Sequence, residues 1–149
     1  MTFFQTGRKY AVIGASSSPF KYGYKVLNWY VKHGLPVFGV NPKGGEILGV
    51  KVFKNVSEYL DDNKGVQLSL SVITPPEQSL EVFKQIVNNG YVNNIKSVWF
   101  QPGSYNKEVI KYVREKYELP DEEIIRDGEC ILVNGIYKLR ESESLNDAK

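Results

Sequence analysis

The sequence predicts an α/β protein built on a parallel sheet of about five strands with helices on both faces. Short apolar runs rich in Val and Ile alternate with segments of about ten residues whose apolar side chains recur at helical spacing. Fully apolar strands between helices mark a sheet covered on both sides. The first such run, Tyr10–Ile13, ends in Gly14-Ala15-Ser16-Ser17-Ser18, the pattern of a strand feeding a turn that opens a helix. Right-handed crossovers leave a Rossmann-like order as the expected topology, with ligands bound beyond the carboxyl ends of the strands.

The elements follow in order. Tyr24–His33 reads as the first helix, with Val26, Leu27, Tyr30 and Val31 as its apolar stripe and Gly34 as its stop. Pro36–Val40 is the second strand, followed by the loop Asn41-Pro42-Lys43-Gly44-Gly45. Ile47–Phe53 reads as a connecting segment with a short extended piece. Ser57 is the expected cap of a short helix reaching about Asn63. Leu68–Ile73 is the third strand, closed by Thr74-Pro75-Pro76, and Glu77–Asn89 the next helix, with Leu80, Phe83, Ile86 and Val87 on one face. Ile95–Phe100 is the fourth strand. Asn106–Tyr117 is a helix with Val109, Ile110 and Val113 inward, and Glu123–Arg126 the fifth strand. One domain over 1–149 is expected, ordered over about 8–138, with a polar, frayed tail from about residue 140.

The chain has 149 residues, 19 Lys and Arg against 17 Asp and Glu, and a formal net charge of +2. That balance argues against nucleic acid and anionic membranes as partners. No stretch approaches the roughly 20 apolar residues of a membrane span. The N-terminus does not read as a signal peptide, so a cytoplasmic location is expected. A single cysteine, Cys130, and a single histidine, His33, disfavour metal clusters and histidine-based catalysis.

Function is therefore expected in the loops at the carboxyl edge. Gly14, Ala15, Ser16 and Ser17, with Lys21 and Tyr22 at the helix entry, form a candidate anion site. The structural alternative is a plain turn with Ser18 as helix cap. The fingerprint G-x-G-x-x-G is absent. Asn41, Pro42 and Lys43 close the second strand, where NAD-binding domains carry an acid for the ribose hydroxyls. A lysine there favours a phosphorylated ribose, as in coenzyme A or NADP. Thr74, Pro75 and Pro76 fix an extended path suited to an apolar wall, or simply join strand to helix. Gln101 and Gly103 sit in a turn where a glutamine suits an amide-rich ligand arm. His33 falls at the end of the first helix, away from these loops, and Glu122-Glu123 reads as a solvated strand entry. Tyr112 and Lys116 have the spacing of a reductase pair but lie on the last predicted helix. Cys130 follows the fifth strand, as a small apolar residue or a thiol near the ligand side.

Several of these stretches together resemble the small, single-domain CoA-binding proteins, whose domain is similar to the N-terminal domain of the succinyl-CoA synthetase alpha subunit. The matching residues are Ala11–Ser16, Tyr22–Tyr24, Phe38–Lys43, Glu46–Gly49, Val98–Gly103 and Cys130, spread over about residues 8–134. Thr74–Pro76 and the polar stretch Asn88–Asn94 depart from bacterial-type members. The resemblance implies a CoA site with phosphates at Gly14–Ser17, Lys43 near the adenosine end, Thr74–Pro76 along the nucleotide and Gln101–Gly103 along the pantetheine arm. The synthetase reaction needs a phosphorylated histidine on a second domain, so the expected role is a non-catalytic or regulatory CoA- or acyl-CoA-binding module. The alternatives are an NADP-dependent oxidoreductase and a ligand-free interaction scaffold. A homodimer or an unknown protein partner is compatible with the two tryptophans and ten tyrosines.

Overall fold

A computed structural model describes residues 3–147, with side chains through residue 143. The first two and last two residues of the expected 1–149 domain lie outside the described residues. In chain order the elements are β1 (Lys9–Ile13), α1 (Tyr22–Lys32), β2 (Val37–Val40), β3 (Gly45–Ile47), β4 (Val50–Phe53), α2 (Val56–Asp61), β5 (Leu68–Val72), α3 (Pro76–Asn88), β6 (Ile95–Phe100), α4 (Lys107–Tyr117), β7 (Ile124–Ile125) and α5 (Ile131–Asp147). The strands form one sheet in the order β3-β4-β2-β1-β5-β6-β7. Every pairing is parallel except β3 with β4. The chain builds outward from β1 to β2 and then returns to β5, so the strand order reverses at β1, as in a Rossmann-like sheet.

Alternation along β1 divides the core. Ala11 and Ile13 face one apolar layer, shared with Val56 and Leu60 of α2, Phe83 and Ile86 of α3, and Val109 and Val113 of α4. Tyr10 and Val12 face the other, shared with Val26, Leu27, Trp29 and Tyr30 of α1 and Ile131 and Leu139 of α5. Helices thus cover both faces, as the apolar strands require.

The expected strands all form, although the fifth shrinks to Ile124–Ile125 behind a 3₁₀ turn at Asp121–Glu123. Two further strands come from the segment read as a connection. Leu48 and Gly49 both take positive φ, at 56° and 75°, and fold Gly45–Phe53 back on itself. β4 then pairs with β2 through Gly39↔Val52 and Val40↔Phe53.

Other expectations are corrected. α1 starts at Tyr22, and Val31 of its predicted stripe is 37% exposed, while Trp29 is buried instead. The cap of α2 is Asn55, whose Oδ1 accepts from Glu58 N–H. Ser57 lies inside that helix and accepts from Asn89. Glu123 is buried rather than solvated. The stretch expected to fray after residue 140 lies in α5, where the Ser142 hydroxyl donates to the Phe4 carbonyl. Phe3 and Phe4, ahead of the expected core at 8–138, are buried. The polar composition of the tail hides this helix, because tertiary packing rather than local propensity supplies most helical stability.

Candidate functional site

The turn after β1 reaches from Gly14 to Lys21. Gly14 has φ +99°, a left-handed conformation that strains any other residue, and the position of a Cβ there is 3.2 Å from Thr74 Cγ2. Its N–H and that of Ala15 both donate to the Val40 carbonyl, at 3.0 and 3.2 Å. These two donors are therefore spent on β2 and are not open to a ligand, contrary to the simple reading of the turn. Ser16 Oγ accepts from Ser18 N–H, and Ser18 O accepts from Lys21 N–H. Ser18 thus shapes the turn and does not cap the helix.

The cap position belongs to Lys21, which makes no side-chain capping bond, and the first turn of α1 carries no acid. Among the described residues, the N–H groups of Ser16, Ser17, Tyr22 and Gly23 have no acceptor. Asparagines close the same end of α2 and α4, through Asn55 and Asn106. An open helix N-terminus with a lysine at its cap favours an anion. Gly23 makes the arrangement possible: a Cβ on it would lie 2.0 Å from the Gly14 carbonyl oxygen. Only glycine lets the helix end lie this close under the turn.

Beside this turn, on the α2–α3 face, a cavity of about 360 Å³ opens at the carboxyl ends of β1 and β2. Ile13, Val40, Pro42 and Val56 give it apolar walls; Gly14 and Thr74 join it to the turn. Its polar rim is Lys54 on one side and Glu77, Gln78, Glu81 and Gln85 of α3 on the other. The size suits a small organic ligand. Of the expected residues, Gly14, Asn41, Pro42 and Thr74 line it. Lys43 is exposed and stands outside this lining, and Lys54 takes the cation's place at the cavity. Asn41 serves structure: its Nδ2 donates to the Ala15 carbonyl at 3.1 Å, and its Oδ1 accepts from the N–H groups of Lys43 and Gly44. Pro75 is the cap of α3 and Pro76 its first residue, a strand-to-helix joint. Thr74 Oγ1 pairs with Ser79 Oγ at 2.8 Å.

Lys54 follows β4, so reading Ile47–Phe53 as a connection left its position at a strand end unrecognised. The α3 residues were missed because only the apolar side of that helix was read. Their spacing at 77, 81 and 85 is the available signal, since residues four apart share a helix face.

At the end of β6, Gln101 is only 3% exposed. Its Oε1 accepts from Ile131 N–H at 2.9 Å, closing the start of α5. Its Nε2 is buried with no hydrogen-bond partner among the described residues. A buried unpaired donor costs about 1–3 kcal/mol, a cost that a water or a ligand acceptor would relieve. Gly103, with φ +89°, is exposed in the turn beyond it. His33 lies at the opposite edge, its Nδ1 2.7 Å from the Trp29 carbonyl and its ring against Trp29. Tyr112 and Lys116 lie in the second half of α4, remote from the turn.

Sheet order, helices on both faces and a glycine turn at the carboxyl edge define the class as a Rossmann-like α/β domain. Comparison with known proteins narrows this: the family model for the CoA binding domain matches residues 8–136, and the chain belongs to that family. It is similar to the acetate–CoA ligase (ADP-forming) of Methanocaldococcus jannaschii, with 28% identity over 110 residues. That match covers 73% of this chain but only 15% of the ligase. Solved structures share the fold, among them two archaeal proteins. A conserved hypothetical protein from Pyrococcus furiosus has a TM-score of 0.68 and 33% identity, covering 85% of this chain and 98% of that one. A hypothetical protein from Pyrococcus horikoshii OT3 has a TM-score of 0.67 and 30% identity, covering 94% and 84%. Among the described residues, no helix is long and apolar enough to cross a membrane, and no group of three or more His, Cys, Asp or Glu side chains could hold a metal ion.

Proposed function

We propose that the protein binds CoA or an acyl-CoA as a non-catalytic or regulatory module. The observation that carries this reading is an open helix N-terminus after the turn that begins at Gly14, with Gly14 also lining an apolar cavity that includes Lys54. A pyrophosphate held by the N–H groups of Ser16, Ser17, Tyr22 and Gly23 directs the attached adenosine into the cavity. The phosphorylated ribose then meets Lys54, with Lys43 on the loop beside it. The pantetheine arm crosses the ends of β5 and β6, where Gln101 Nε2 offers a donor to an amide carbonyl. Family membership and the printed name of the archaeal relative favour the same ligand. A binding role fits the position of His33 at the opposite edge of the sheet.

The test is a thermal-shift titration with CoA, dephospho-CoA, NADP and NAD on wild type, Lys54→Ala and Lys43→Ala. Ligand at about 100 times its Kd stabilises the fold by about 2.7 kcal/mol. Stabilisation by CoA, reduced with dephospho-CoA and in Lys54→Ala, supports the reading. A response to NADP and none to CoA replaces it with the oxidoreductase. A folded protein that responds to no ligand replaces it with the scaffold.

A further inference from the structure

Cys130 is the residue that caps α5, its carbonyl accepting from Val133 and Asn134 N–H at 3.0 and 2.7 Å. It is partly exposed. α5 packs beside α1 so closely that a Cβ on Gly135 would lie 2.6 Å from the Trp29 ring. Leu132 lines one groove with Pro19 and Tyr24, which flank the entry of α1. The thiol-bearing end of α5 therefore stands at the same edge as the open turn, one helix away.

A second observation points to a ligand at this place. The Gln101 amide is anchored by Oε1 on the N–H of Ile131, the residue that follows Cys130. Its Nε2, on the same rigid amide plane, is buried without an acceptor among the described residues. An unpaired buried donor on an amide tied to the residue after a partly exposed cysteine suits a ligand arm that carries an amide carbonyl and ends in sulfur. Three strand spacings separate β1 from β7, about 14 Å. An extended pantetheine arm starting at the turn spans such a distance.

We propose that Cys130 is a thiol–disulfide exchange site for CoA, which rests on the CoA reading above and adds a redox-controlled tether to it. The Cys130 thiolate attacks one sulfur of CoA disulfide. A bond forms between Cys130 Sγ and that sulfur, the original S–S bond breaks, and the second CoA leaves as a thiolate that takes up the proton Cys130 released. One disulfide is consumed and one is made, so no further oxidant enters.

Intact-mass spectrometry tests this, with equal concentrations of CoA disulfide and glutathione disulfide supplied to wild type and Cys130→Ser. Acetyl-CoA, which has no free thiol, serves as competitor. CoA binding is read separately by thermal shift. The expected result is a single CoA adduct on wild type, forming at least tenfold faster than the glutathione adduct and slowed severalfold by acetyl-CoA. Cys130→Ser forms no adduct and keeps its thermal response to CoA. Equal rates with both disulfides, indifference to acetyl-CoA, or no adduct on a protein that binds CoA overturns the exchange site and leaves the binding module standing. No thermal response to CoA overturns both.

Discussion

The two edges of the sheet treat their polar groups in opposite ways. At the amino edge, buried Arg8 donates to Ser69 Oγ at 2.8 Å and to Gln5 Oε1 at 3.2 Å, and Ser69 Oγ donates to the Phe3 carbonyl at 2.6 Å. Gln5 N–H donates to Tyr10 Oη at 3.0 Å. The Arg8 pKa is lowered by burial, with the charge of Glu123 acting in the opposite sense. At the carboxyl edge, the start of α1 has no side-chain cap and Gln101 Nε2 has no acceptor. The contrast separates an end of the fold that satisfies itself from one that leaves donors unpaired among the described residues, which the proposed ligand would complete. Buried polar groups are normally paired, so the exceptions locate function more sharply than the lining of a cavity does.

Breaking the close approach that builds the open edge has the largest expected effect. Gly23→Ala places a methyl group 2.0 Å from the Gly14 carbonyl, which forces α1 and the turn apart. A loss of roughly 3 kcal/mol in urea unfolding is expected, together with loss of CoA binding. Retained binding and stability would show that the turn is not held by this contact. At the opposite edge, Arg8→Ala is expected to cost about 2 kcal/mol of stability through the groups it leaves unpaired. CoA affinity at a temperature where the variant is folded should not change, and a parallel loss of affinity would erase the distinction between the edges.

Lys54→Ala should leave the ligand-free melting temperature nearly unchanged and weaken CoA about tenfold by calorimetry, the value of one charge-assisted contact. Dephospho-CoA should bind both proteins alike; an equal loss with it would move Lys54 away from the ribose phosphate. The smallest effect is one of pH. Hydrogen bonds from Arg114 and Arg126 hold the exposed Asp121 carboxyl below the ordinary aspartate range. A depressed folded-state value stabilises the fold above the ordinary value, and that contribution disappears as pH falls through the depressed one. The small difference in melting temperature between wild type and Asp121→Asn should therefore shrink from about pH 5 to about pH 2. A constant difference would indicate that the ion pairs are screened out in solution.

Much of the architecture was legible in the chain. β6 forms over the expected Ile95–Phe100, and Val109, Ile110 and Val113 of α4 are inward as its periodicity marks, joined by Tyr117. Central strands and long helices announce themselves because one unbroken pattern of burial runs through each. The hairpin Gly45–Phe53 did not, since strands of three and four residues are too short for a period to repeat. Of the expected residues, Gly14, Asn41, Pro42 and Thr74 line the cavity of the proposed site, because they lie where strands end in the sequence as well as in space. Lys54 was hidden behind the unread strand, and Glu77, Glu81 and Gln85 behind a helix read only for its core.

By itself the sequence determined the parallel sheet, the loops that share its carboxyl edge and the glycine turn, because apolar periodicity and glycine placement are local properties of the chain. The tertiary structure alone decided which donors remain open. Gly14 and Ala15 N–H point to Val40, Asn41 is tied to Ala15, and Gln101 is divided between a bonded oxygen and an unpaired nitrogen. Hydrogen bonds between residues some 26–30 positions apart depend on the docking of strands and helices, and no local pattern records which partner a polar group meets there.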